Sequence, residues 1–139
     1  MIDSVKKYIE KHSLITKGQK VLLAVSGGKD SVCMAYIFSF LKIDFSIAHC
    51  NFKLRDMESD ADQKFVERLA KKLQVSFFSK SFETALYASK HKISIQMAAR
   101  KLRYDWFNGL CVRYGMSVIA TAHHQDDNIE TLLLKKIRK

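Results

Sequence analysis

Apolar residues along this chain form two patterns, short continuous runs and stripes with a spacing of three to four residues. The runs are rich in β-branched residues and predict four buried strands, at 21–25, 45–50, 75–82 and 116–122. The stripes predict helices at 3–12, 30–41, 59–73, 84–92 and 95–113. A last helix is predicted to start within 123–127 and to run to the end of the chain through Ile129, Leu132, Leu133 and Ile137.

Two of the stripes predict which helix face is buried. In the third helix the repeating residues are Ala61, Phe65, Leu69 and Leu73, with Val66 widening the stripe. In the long helix they are Ala99, Leu102, Trp106 and Leu110. Gly115 is placed to end that long helix.

Strands that alternate with helices predict an α/β domain, a doubly wound parallel sheet with helices on both faces. The 139 residues suffice for about one domain. Ligands of such sheets bind outside the carboxyl ends of the strands. Three polar clusters follow predicted strands, at 26–31, 49–60 and 123–130, and we expect them to converge there.

Composition narrows the class of protein. The net charge of +10 indicates a polyanionic partner such as nucleic acid, although a generally basic surface explains it as well. Cys33, Cys50 and Cys111 are scattered without a C-x-x-C pair, which argues against zinc, iron–sulfur and disulfide sites and fits a reducing cytoplasm. Apolar runs are too short to span a membrane, and the first residues lack a signal-peptide core.

The segment Ser26–Ser31 (SGGKDS) connects the first strand to the second helix. Glycines let the backbone turn and approach a ligand closely, and the dipole of the following helix favours negative charge. Ser26 and Ser31 add hydroxyl donors for phosphate oxygens. The alternative is a plain turn with Asp30 or Ser31 as N-cap. The six residues resemble the SGGxDS loop of the N-type ATP pyrophosphatases, which cleave ATP between the α and β phosphates.

A polar segment, 123–130, follows the fourth strand. Asp126 and Glu130 are four residues apart and share a helix face, which suits a magnesium site beside phosphates. A transition-metal site at His123 or His124 with a carboxylate is a second interpretation, and simple helix capping is the third.

Arg100 and Arg103 lie three residues apart on one side of the long helix, pointing away from its apolar stripe. Paired guanidinium groups suit phosphate, and a solvated basic face paired with Asp105 is the alternative. The cluster around Asn51–Arg55 is by itself only a polar loop, to which we assign no chemistry.

Taken together, these segments resemble the tRNA(Ile)-lysidine synthetase family over nearly the whole chain. The matching motifs are the SGGKDS loop, L-R-x-x-E-S-D-x-D at 54–62, A-A-R-x-x-R-Y at 98–104 and A-H-H-x-D-D-x-x-E-T-x-L-L at 122–134. The resemblance implies an adenine-nucleotide-hydrolase-like domain over 1–139, with about four strands in the order 3-2-1-4. It implies a cytoplasmic ligase that uses ATP to activate the C2 carbonyl of the wobble cytidine of CAU-anticodon isoleucine tRNA. The ε-amine of free L-lysine then displaces AMP to give lysidine.

The resemblance also implies site residues. Those for ATP binding are Ser26, Gly27, Gly28, Lys29, Asp30 and Ser31. Those for catalysis are Asp30, Arg100, His123, Asp126, Asp127 and Glu130. Arg55, Arg100 and Arg103 are implied contacts to substrate or RNA, and Asp30 and Asp127 are implied ligands of Mg²⁺. A homodimer stays open.

Two departures from the family pattern qualify these expectations. Phe52-Lys53 stands where the family usually carries His-Gly. The chain ends at Lys139, where the family continues with a glycine-rich turn, another strand and tRNA-binding domains. We therefore expect a truncated domain with an exposed sheet edge, weak ATP binding and no full turnover. The alternatives are another adenylating enzyme of the SGGxDS class, including tRNA-thiolating ones, or a non-catalytic nucleotide- or RNA-binding module.

Overall fold

A computed structural model describes residues 2–11, 15–16, 18–54, 56–122 and 132–136. Helices and strands alternate along most of the chain, as the hydrophobic pattern predicts. The helices are α1 (Ile2–Lys11), α2 (Lys29–Phe40), α3 (Asp56–Leu73), α4 (Thr84–His91) and α5 (Ile95–Tyr114). The strands are β1 (Val21–Ala24), β2 (Phe45–Asn51), β3 (Phe77–Ser81), β4 (Val118–Ala122) and β5 (Leu132–Lys136).

One sheet in the order β3-β2-β1-β4-β5 runs through the described part of the chain. β1 lies at its centre, with Val21 opposite both Phe45 of β2 and Val118 of β4. The first four strands are parallel, so the predicted order 3-2-1-4 is confirmed. Their carboxyl ends therefore meet at a single edge of the sheet.

The predicted last helix is wrong for Leu132–Lys136. This segment is strand β5, which pairs antiparallel with β4 and sets Leu133 opposite Thr121. Three consecutive leucines satisfy a strand as well as a helix, and the open edge of β4 offers ladder hydrogen bonds that settle the choice. β5 also covers the sheet edge that we expected to be exposed.

The two faces of the sheet carry separate hydrophobic cores because successive residues of each strand point to opposite sides. Leu23 and Val25 belong to the face covered by α1, α2 and α3, where Phe38 and Val66 are fully buried. Leu22 belongs to the other face, which α5 covers with Phe107 and Cys111. Helices thus lie on both faces, as predicted.

The buried faces of two helices differ from the predicted stripes. On α3 the buried residues are Val66, Leu69 and Ala70, whereas Ala61 and Phe65 are exposed. On α5 they are Ala98, Phe107 and Cys111, whereas the predicted stripe is only half-buried. Periodicity gives the width of an apolar stripe, but its centre is set by the sheet on which the helix packs.

The ends of the helices follow local chemistry. Gly115 ends α5 in the left-handed conformation with φ of 72°, as predicted, and the Ser94 hydroxyl caps its N-terminus by accepting from the Met97 N–H. α3 begins at Asp56, three residues before the predicted start at Ser59. Within the described ranges, no helix is both long enough and apolar enough to cross a membrane.

Candidate functional site

The loop between β1 and α2 has the backbone of an anion-binding turn. Gly27 has φ of +99°, a value that side-chain-bearing residues rarely adopt. Gly28, not Asp30 or Ser31, is the N-cap of α2, and no side chain caps the helix. The alternative of a plain turn capped by Asp30 or Ser31 is therefore wrong, and the positive end of the helix dipole is left to another acceptor, for which an anion is suited.

Hydrogen bonds within the loop hold its shape. The Ser26 N–H donates to Ser31 Oγ at 3.1 Å, and the Ser31 hydroxyl donates to the Gly28 carbonyl at 3.0 Å. The Gly28 N–H in turn donates to Ser26 Oγ at 3.2 Å. Ser31 is buried and serves the loop itself, whereas Ser26 is exposed and can turn towards a ligand.

A cavity of about 190 Å³ opens beside this loop, at the carboxyl ends of β1, β2 and β4. Its walls are small or apolar residues with a few polar groups, and the lining consists of Ala24, Val25, Ser26, Ser31, Ala48, Cys50, Phe52, Arg103, Phe107, Thr121 and Ala122. Larger cavities lie elsewhere, among them one of about 320 Å³ lined by Ile9, Leu41 and Asp44. The cavity beside the loop combines a glycine turn, hydroxyl groups and a guanidinium group, so it is the candidate site.

Arg103 is the cation of this cavity. Its Nε is buried without a hydrogen-bond partner, the only such side-chain nitrogen or oxygen in the part of the chain that the structure describes. Both arginines were predicted to point away from the apolar stripe of α5 and to share one side of the helix, but Arg103 is half-buried and lines the cavity. The buried face of α5 is centred on Ala98, Phe107 and Cys111 and not on the predicted stripe. Arg100 is exposed and is not among the lining residues, although both guanidinium groups lie over the Tyr104 ring, at 5.5 and 5.1 Å from its centre.

Two residues at the end of β2, to which we assigned no chemistry, organise the site. The buried His49 donates from Nδ1 to the Val25 carbonyl at 2.8 Å and so ties β2 to the start of the loop. Asn51 is 2% exposed and hydrogen-bonds both to the following turn and to α3. Polar residues at the end of a predicted strand could have indicated these two positions. Their partners Val25 and Asp60 lie too far away in sequence to be inferred from a local pattern.

The Cys50 thiol lies on the cavity wall beside Arg103. Burial raises the pKa of Cys50 to about 12, and the Arg103 charge only partly opposes this shift. The thiol is therefore protonated at neutral pH and is a poor nucleophile.

Several predicted site residues lie outside the described part of the chain: Arg55, His123, Asp126, Asp127 and Glu130. Thr121 and Ala122, which lead into the 123–130 segment, line the cavity together with Ser26. Asp30 is half-buried in the first turn of α2, next to the exposed Lys29. Among the residues whose placement is known, no three acidic, histidine or cysteine side chains gather into a metal-binding group.

Sequence comparison finds relatives of the predicted kind to which this chain is similar. It is 45% identical over 134 residues to the tRNA(Ile)-lysidine synthase of Bacteroides thetaiotaomicron, covering 96% of this chain and 32% of that protein. It is 44% identical over 138 residues to the tRNA(Ile)-lysidine synthase of Parabacteroides distasonis, covering 99% and 32%. The chain thus spans about a third of the length of these curated relatives.

Structural comparison supports the same fold. An NMN synthetase from Francisella tularensis superposes with a TM-score of 0.65 at 14% identity, covering 85% of this chain and 51% of that one. At that identity the likeness concerns the fold alone. The PP-loop domain family, finally, matches residues 1–139 in full. The glycine loop between β1 and α2, the parallel sheet and this match lead to one conclusion: the chain belongs to the PP-loop domain family.

Proposed function

We propose that the cavity binds ATP and that the full-length gene product is a tRNA(Ile)-lysidine synthetase. The observation that carries the nucleotide site is Arg103, a half-buried residue that lines the same cavity as Ser26 and Ser31 and whose buried Nε has no hydrogen-bond partner. A buried polar atom without a partner is costly, and a phosphate group supplies an acceptor for it and balances the charge of the guanidinium group. Membership in the PP-loop domain family favours ATP as the nucleotide.

The loop is suited to the two outer phosphates. The exposed Gly28 has no side chain to keep a ligand from the loop, and the helix that follows places a partial positive charge behind it. The Ser26 hydroxyl adds a donor at the exposed rim. These groups stabilise the negative charge that grows on pyrophosphate as it leaves, and Arg103 stabilises charge at the α phosphate.

The chemistry proposed for the tRNA follows in two displacements. The C2 carbonyl oxygen of the cytidine attacks the α phosphorus, the bond to the bridging oxygen breaks, and pyrophosphate leaves. The ε-amine of lysine then attacks C2, AMP leaves with the former carbonyl oxygen, and the nitrogen loses a proton. His123, Asp126, Asp127 and Glu130 remain the predicted residues around this reacting centre, with Arg55 and Arg100 as predicted substrate contacts.

The predicted carboxylate ligands, Asp30 and Asp127, are of the kind that Mg²⁺ prefers. Magnesium is usually held by one or two carboxylates together with substrate phosphates and water, so a ready-made cluster of three protein ligands is not required. Asp30, in the first turn of α2, is the carboxylate nearest in sequence to the glycine loop, and Asp127 is the second predicted ligand. The ion would neutralise phosphate charge there.

Support for the tRNA and lysine comes from the relatives, which are named for that reaction. The net charge of +10 agrees with a nucleic-acid substrate. tRNA thiolation, the alternative within the same loop class, is disfavoured because the thiolating enzymes often need a C-x-x-C pair of cysteines, and this sequence has none.

The test is pyrophosphate release from ATP by the full-length gene product, with CAU-anticodon isoleucine tRNA and lysine each omitted in turn. We expect release to require the tRNA, and lysine to be incorporated into it. Release that ignores the tRNA would indicate a different substrate, and absence of release in the complete mixture would refute the adenylating activity.

A further inference from the structure

Asn51 is the last residue of β2 and is buried beside the cavity, at 2% exposure. Its side-chain amide makes three hydrogen bonds, which nearly exhausts its capacity. Nδ2 donates to Asp60 Oδ1 at 3.0 Å and to Gln63 Oε1 at 3.1 Å, and Oδ1 accepts from the Lys53 N–H at 3.0 Å. The amide therefore joins the end of a central strand to α3 and to the turn that follows the strand.

The bond to Lys53 stabilises an unusual turn. Lys53 has φ of 53°, the left-handed region that favours glycine. The turn directs Phe52 onto the cavity wall, where its ring stacks on Phe82 with centres 5.7 Å apart.

The bonds to Asp60 and Gln63 position the first half of α3. Asp62, between them in sequence, lies against the glycine loop: a Cβ on Gly27 would be 3.4 Å from Asp62 Cβ. One amide thus stabilises the arrangement of two walls of the cavity, the Phe52 wall and the glycine loop.

We propose that Asn51 is a positioning residue of the nucleotide cavity, acting through the turn that carries Phe52 and through α3 behind Gly27. This inference rests on the proposed binding of ATP. Asn51 does not line the cavity, so its effect on affinity comes from the geometry that its three partners impose.

The direction of the hydrogen bond between Asn51 and Asp60 can be reversed by substitution, which tests the proposal. N51D keeps an oxygen that accepts from the Lys53 N–H. It replaces the amide nitrogen that donates to Asp60 by a carboxylate oxygen, so that two acceptors face each other. The double variant N51D/D60N reverses the polarity, because the new amide at position 60 donates to the new carboxylate at 51. Gln63 turns its amide so that it also donates. N51D should weaken ATP binding about 10-fold or more, the size of coupling found within one hydrogen-bond network, and the double variant should restore it to within about threefold of wild type.

Affinity is measured by calorimetric titration of the full-length gene product with ATP, at a temperature where thermal denaturation shows every variant to be folded. Equal ATP affinity of N51D and wild type would overturn the positioning role of Asn51. A double variant that folds normally but does not recover ATP affinity would overturn it too. Either result leaves the proposed function standing. Wild-type protein that does not bind ATP would overturn the proposed function, and this inference with it. Should N51D not fold, the comparison of N51D/D60N with wild type decides alone.

Discussion

Replacing Arg103 by methionine removes the cation of the cavity while keeping an unbranched side chain that suits a helix. If Arg103 binds a phosphate of ATP, the variant loses charge-assisted hydrogen bonds worth about 1.5–3 kcal/mol. Since about 1.4 kcal/mol corresponds to a factor of ten, the dissociation constant for ATP should rise about 10- to 150-fold.

The same replacement should not destabilise the free protein. The buried Nε without a partner costs about 1–3 kcal/mol in the wild type, and R103M removes that cost. The variant gives up the contact of the guanidinium group with the Tyr104 ring, worth about 0.5–1 kcal/mol. The free energy of unfolding should therefore stay the same or rise by about 1–2 kcal/mol. Opposite signs for binding and stability distinguish a ligand-binding arginine from one that serves the fold.

Lys101 provides the matched control. It lies on the same helix but is exposed and pairs with Asp105 at 3.2 Å, so K101M removes the same charge away from the cavity. Calorimetric titration with ATP at constant ionic strength, together with urea denaturation, measures both quantities for wild type, R103M and K101M. Wild-type affinity in R103M, or an equal loss in K101M, would refute the reasoning; a marked drop in the stability of free R103M would show that Arg103 serves the fold instead.

Three further predictions follow. In the full-length gene product, D30A should abolish pyrophosphate release while tRNA affinity stays within about threefold, whereas unchanged release would exclude Asp30 from the reaction. G27A should lower stability by about 1–3 kcal/mol and abolish ATP binding, because its φ of +99° suits only glycine; G18A, with φ of +87° and open space around the added Cβ, should lower stability and leave binding intact. Burial raises the pKa of Cys50 to about 12 and that of Cys111 to about 11, so the folded protein keeps protons that the unfolded chain releases above about pH 9. The free energy of unfolding should therefore fall between pH 9 and 12. From about pH 8 to about pH 10.5, the urea midpoint of C50A/C111A should fall less than that of the wild type, and an equal fall would refute the raised pKa of the two thiols.

Local signals were sufficient for much of the fold. The run Val21–Val25 could only be a buried strand, the glycines after it required a turn, and Gly115 ended α5 where expected. The parallel order of the first four strands, expected from the family resemblance, is confirmed. Leu132–Lys136 could not be assigned correctly, because its pairing with β4 depends on an open sheet edge that no local pattern reports.

For the site, the sequence identified the glycine loop and the arginine-bearing helix but not how that helix is turned. The rotation of α5 about its axis, set by how Phe107 and Cys111 pack on the sheet, brings Arg103 to the cavity and leaves Arg100 exposed. The role of Asn51 was likewise hidden, since its side-chain partners on α3 are nine and twelve residues away.

The sequence by itself determined most of the elements and the PP-loop family, because turns, apolar runs and a glycine loop express their chemistry within a few residues. Only the tertiary structure decided which guanidinium group enters the cavity, which amide holds its walls and which segment closes the sheet edge. Those choices depend on packing between residues far apart along the chain, where burial removes the alternative of water as a partner.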